Sequence, residues 1–96
     1  MDNPHLKDES IEQLFKAILT LKTEEECSQF FEDICAINEI KSIAQRLQVA
    51  SMLQDGKTYQ HIEEETGASS ATISRVKRFL SYGPGGYRIV LNRIKE

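Results

Sequence analysis

The chain is poor in the groups that most catalytic and metal chemistry needs. Its 96 residues include two histidines, His5 and His61, and two cysteines, Cys27 and Cys35. The cysteines are eight positions apart, which matches no common zinc pattern, and neither histidine has a partner at ligand spacing, so no metal is expected. A cysteine nucleophile needs an activating neighbour. Both cysteines instead fall on the apolar face of a predicted helix, where they read as small buried apolar residues of a reduced protein rather than as a disulfide. The acidic runs at residues 24–26 and 63–65 read as solvated helix faces, not as paired catalytic carboxylates. The glycines at 83, 85 and 86 sit between predicted helices and lack the lysine and hydroxyl of a phosphate loop. These absences point away from an enzyme. No run is long and apolar enough to span a membrane, and the polar, acidic start is unlike a signal peptide, so no membrane partner and a cytoplasmic location are expected.

What is present is compact. Apolar content of 40% lies in the globular range. The length suits one small domain, which buries only a modest share of its surface and would gain from association. Net charge is −3, which at first argues against nucleic acid, but the distribution reverses that argument. From residue 66 onward Arg75, Lys77, Arg78, Arg88, Arg93 and Lys95 stand against Glu96 alone, a net of +5, whereas residues 1–65 carry −8. A basic pole on an acidic body is compatible with DNA, because the local field steers binding.

Residues 58–80 organise the rest. Thr58 is placed to cap a short helix, Ile62 faces inward, and Gly67 supplies a left-handed turn. Ser69 or Ser70 then caps a second helix, whose Ile73, Val76 and Leu80 recur at spacings of three and four and share one buried face. This is the layout of a helix-turn-helix, in which the first helix braces a second that enters the major groove. Small residues at the tip (Ser69, Ser70, Ala71, Thr72, with Ser74 a turn on) allow close approach to base edges. Ala71 and Thr72 can offer methyls to thymine, and Arg75, Lys77 and Arg78 can meet phosphates or a guanine edge. An ordinary helical hairpin with a solvated basic face would look similar.

In chain order, residues 1–9 are polar and read as a flexible arm. A helical stripe from Ser10 carries Ile11, Leu14, Phe15, Ile18 and Leu19, and it needs a partner surface. Thr23 and Glu26 form a capping box for a helix that buries Cys27, Phe30, Phe31, Ile34 and Cys35. Asn38 is placed to cap a third helix bearing Ile40, Ile43, Ala44, Leu47, Ala50, Met52 and Leu53, which ends at Asp55 and Gly56. After the breaker at residues 82–86, Tyr87, Val90, Leu91 and Ile94 give a final helix over 86–95. No segment alternates strictly enough for a strand. The whole reads as one all-α domain of six short helices spanning residues 1–96.

From about residue 38 to 91 the chain resembles the Trp repressor family, most closely its Gram-positive branch. The residues that carry this are Met52 and Leu53, Ile62, Gly67 and Ala68, the run Ala71-Thr72-Ile73-Ser74-Arg75, and Pro84. The resemblance implies helices at residues 10–55 that interlace with a second copy into a homodimer. It also implies a palindromic operator with half-sites one helical turn apart, about 34–36 Å. A small-molecule co-effector would sit between the third helix and the reading helix. By position, Thr72 and Arg75 match effector-contacting residues; the family's arginine falls at Gln45, with Arg46 beside it; and a small hydroxyl position falls at Phe79. A phenyl ring there fills the space an indole would take, which disfavours tryptophan.

The expected function is therefore a dimeric, sequence-specific transcriptional regulator of duplex DNA, a repressor. A helical interaction module that has lost DNA reading is the alternative, favoured somewhat by the acidic run on the bracing helix. A fragment of a recombinase or sigma-type factor is argued against by the self-contained length.

Overall fold

The computed structural model describes residues 3–95. Its elements are a 3-10 turn, Pro4–Leu6, and six helices: α1 Glu9–Ile18, α2 Glu24–Ile34, α3 Ile37–Gln54, α4 Tyr59–Thr66, α5 Ser70–Tyr82 and α6 Gly86–Ile94. No strand occurs among the described residues, so the all-helical expectation holds. Among those residues no helix is long and apolar enough to cross a membrane. The chain divides into two compact units, one ending at Ile37 and one beginning at Asn38.

In the first unit, part of the expected arm is ordered as the 3-10 turn, with the Asn3 side chain accepting from the His5 amide. Helix α1 starts at Glu9, one residue before the expected Ser10, because Asp8 is its cap. The Asp8 carboxylate accepts from the hydroxyl and the amide of Ser10, which hold its pKa below the usual carboxylate value. Thr23 caps α2 through a 3.0 Å bond from the Glu26 amide. The reciprocal half of the box differs from expectation: the Glu26 carboxylate accepts from the amide of Lys22 rather than that of Thr23, at 2.9 Å.

The burial expected on these two helices is absent within one chain, for neither α1 nor α2 has a buried residue. Cys27 is exposed and Cys35 half-buried, both as free thiols, which corrects their reading as core residues. Phe30 and Phe31 are half-buried and meet edge to face with centroids 5.6 Å apart, while Ile34 is 53% exposed. Segregating apolar residues onto one stripe shapes an amphipathic helix but does not supply the surface that covers it.

The second unit holds the core: Val49 and Ala50 of α3, Ile62 of α4, Ala68 in the turn, Ile73 and Val76 of α5, and Leu91 of α6. Asn38 does not cap α3, which already begins at Ile37; Cys35, the residue closing α2, is extended. Helix α3 ends as expected. Gly56 is left-handed, its amide donates to Leu53 O, and the Lys57 amide donates to Met52 O, each at 3.0 Å. These paired bonds satisfy carbonyls the helix end would otherwise orphan.

Candidate nucleic-acid interface

Two caps and one turn fix the helix pair. The Thr58 hydroxyl accepts from the His61 amide at 3.2 Å and starts α4. Gly67 closes α4 at φ 74°, and its amide donates to Glu63 O at 2.9 Å. A Cβ there would meet nothing within 4 Å, so the glycine is required by backbone conformation and not by space. Ser69, rather than Ser70, caps α5: its Oγ accepts from the Thr72 amide at 3.2 Å. Ala68, Ile73 and Val76 then bury the inner face of the motif against Ile62 and α3.

Thr66 and Gln45 brace the turn in a way the sequence does not announce. The Thr66 hydroxyl donates to Ile62 O at 2.7 Å and accepts from the Ala68 amide at 3.1 Å. Gln45 Nε2 donates to the Thr66 carbonyl at 3.1 Å, tying α3 to the turn. The Thr66 bonds are the usual opportunity of a threonine at a helix end. The Gln45 bond spans 21 positions and has no local signature.

The outer face of α5 collects the residues expected to meet DNA. Ser69, Ser70, Ala71, Ser74, Arg75, Lys77 and Arg78 are exposed; Thr72 is half-buried, and its hydroxyl accepts from Ser69 Oγ at 3.1 Å. Among the described residues Arg75, Lys77 and Arg78 form no ion pair. Lys77 Nζ stands 5.7 Å above the Tyr59 ring, and the Arg78 guanidinium lies 5.4 Å from the Phe79 ring. Such contacts orient a cation without neutralising it. The acidic residues Glu63, Glu64 and Glu65 are exposed on α4.

An apolar cleft of about 620 Å³ opens between α3, α5 and α6. Arg46, Arg75 and Phe79 line it together with Ile43, Val76 and Tyr87. Of the five residues proposed by position for an effector, three are therefore gathered there. Gln45 and Thr72 do not line it: Gln45 is held at Thr66 and Thr72 at Ser69. On α3 the lining residues are 43, 46 and 47, which at about 100° per residue share one arc of the helix, and Gln45 falls on roughly the opposite side. Among the described residues no group of three or more His, Cys, Asp or Glu side chains is placed to hold a metal ion.

Known proteins resemble this chain in sequence or in fold over nearly its whole length. The family model described as Trp repressor protein matches residues 9–95. The uncharacterised protein YerC of Bacillus subtilis is 59% identical over 91 residues, covering 95% of this chain and 88% of that protein. A TrpR-like protein from Eubacterium eligens superposes with a TM-score of 0.94 at 55% identity, over 97% of this chain and 96% of that one. A putative Trp repressor from Staphylococcus aureus gives 0.93 at 53% identity, over 99% and 95%. The chain belongs to the Trp repressor family, a family of regulators and not of enzymes.

Proposed function

We propose that the protein is a sequence-specific DNA-binding transcriptional regulator, a repressor that binds a palindromic operator as a homodimer in the cytoplasm. The observation that carries this reading is the outer face of α5. It offers small residues at the helix start and three cations without carboxylate partners after it, on a helix pair braced by its own core. Ser70, Ala71 and Ser74 would approach base edges, Arg75 a guanine or a phosphate, and Lys77 and Arg78 the backbone. The uncovered apolar faces of α1 and α2 support a second copy, since each subunit would complete the other's core. Family membership supports both parts of the reading.

Any co-effector would use the cleft between α3, α5 and α6. Phe79, which lines it, argues that the ligand is not tryptophan. Calorimetry with tryptophan should show no stoichiometric binding at micromolar concentration; such binding would refute this part of the proposal.

Incubation with random duplex DNA at moderate salt, followed by sequencing of the retained fraction, tests the main reading. An enriched palindrome with half-sites about one turn apart is expected. Affinity should also fall steeply with salt, by roughly 10³–10⁵-fold between 50 and 200 mM if 6–10 phosphates are contacted. The exposed acidic residues of α4 favour an interaction module as the second reading. No enrichment, with or without added metabolites, and salt-insensitive partner binding would decide for it.

A further inference from the structure

A second groove lies where the end of α3, the start of α4, the second half of α5 and α6 meet. It is about 480 Å³ in volume and is bordered by Lys57 after α3, Tyr59 on α4, Lys77 and Ser81 on α5, and Arg88 on α6. Three cations from three separate segments line it, and no carboxylate does. The nearby Asp55 is already paired with Lys95 at 3.1 Å. Arg88 Nε donates to the Leu80 carbonyl at 3.1 Å, which anchors the guanidinium while its terminal nitrogens keep their donors. The Tyr59 ring, 5.7 Å below Lys77 Nζ, holds that ammonium in place. Of this set the sequence places Lys77 alone at the DNA surface; Lys57, Tyr59 and Arg88 join it only in the fold.

The geometry points to a phosphate-binding groove that grips one strand of the DNA backbone beside the bases read by α5. This rests on the regulator reading above and extends it. The chemistry is that of a phosphoryl anion: ammonium, guanidinium and hydroxyl donors with nothing acidic between them. Position favours a DNA phosphodiester over a free phosphorylated metabolite. Lys77 lies seven residues after Ser70 and three after Ser74, so it shares their side of α5, and the groove begins where the reading face ends. The cations are also spread over three segments along an open groove, which suits a strand running past better than a compact anion.

The test measures affinity for the selected operator and for an unrelated duplex across a salt series, with wild type, Lys57→Ala, Lys57→Arg and Lys57→Ala/Arg88→Gln. Lys57→Ala should weaken both duplexes by the same factor, about tenfold, leaving the preference between them intact. The salt slope should shrink by about 0.9 for each phosphate no longer neutralised, and Lys57→Arg should restore it. Operators carrying one neutral methylphosphonate localise the effect: a single position should weaken wild type while leaving Lys57→Ala indifferent. If wild type selects its operator but these variants keep its affinity and slope, the groove assignment is wrong and the regulator reading stands. If wild type binds no duplex, both fail; saturable perturbation of Lys57 and Arg88 by inorganic phosphate would then mark a metabolite site in place of the backbone grip.

Discussion

The two units of this chain share a helical grammar and differ in what that grammar leads to. From Asn38 onward, short helices close on a core in which Val49, Ala50, Ile62 and Ile73 are completely buried. Up to Ile37, helices that are no less amphipathic bury nothing, and Leu19 stands 83% exposed. Charge also differs between the units: residues 1–37 carry nine acidic against three basic side chains, a net of −6, and residues 38–96 six against nine, a net of +3. The difference teaches that a periodic apolar stripe specifies where a helix wants to be covered, not what covers it. In the second unit the cover is supplied by the chain itself. In the first, α1 and α2 have no buried residue, which is the physical argument for the proposed second copy.

Truncating an apolar residue in each unit gives the sharpest contrast. Ile62→Ala removes a fully buried side chain and should cost about 2–5 kcal/mol in denaturant unfolding. Ile34→Ala removes a side chain that is 53% exposed in one chain. If a second copy covers that face, the loss should rise to about 1–3 kcal/mol and the unfolding midpoint should move with protein concentration. A cost below about 0.5 kcal/mol at every concentration, the usual range for surface substitutions, would make α2 an ordinary surface helix and remove the main support for the dimer.

Arg75→Ala carries the comparison to function. Arg75 is exposed on α5 and also lines the cleft against α3, so its loss should weaken operator binding by about 1–3 kcal/mol without altering unfolding. Unchanged affinity for a selected site would mean that α5 is not the reading helix. Thr72→Ala should relax base preference at one position by a similar amount, about 1–3 kcal/mol. A smaller effect is expected at the turn. Gly67→Ala forces a side chain into the left-handed region at φ 74° and should cost about 1–2 kcal/mol, although nothing obstructs the added methyl. A neutral result in thermal unfolding would show that the turn relaxes more easily than its hydrogen bonds suggest.

What can be read from the sequence follows the same division. Local chemistry is legible: Thr23, Thr58 and Ser69 cap their helices, Gly56 and Gly67 turn left-handed, and Ile73 and Val76 are buried as their spacing requires. Each depends on neighbours within a few positions. The misses depend on contacts that span the chain. Matched position alone puts Gln45 at the cleft, yet it faces Thr66, 21 residues away. Val49 stands outside the stripe that spacing picks out on α3, although it is fully buried. The groove lined by Lys57, Tyr59 and Arg88 draws on three segments and has no motif. The cysteines and Ile34 read as core because their stripe is apolar, and a stripe alone cannot show that its cover lies in the same chain.

One serine/threonine cap from each unit compares the two at the finest scale. Thr23 and Ser69 do the same work, each accepting one otherwise unpaired amide at a helix start, at 3.0 and 3.2 Å. Replacing either with alanine should cost about 1 kcal/mol. The consequences should differ because the helices they start are held differently. Helix α5 is pinned by Ile73 and Val76 against a buried core, so Ser69→Ala should leave most of α5 protected in hydrogen exchange. Its first turn should still loosen, and that turn carries Ala71 and Thr72, so operator affinity should fall along with stability. Helix α2 has no buried residue of its own, so Thr23→Ala should open its amides over several turns and leave the DNA-reading surface unaltered. Equal protection loss confined to the first turn in both helices would show that α2 is held as firmly as α5. The covering surface on α2 would then have to be as complete as the core around Ile62.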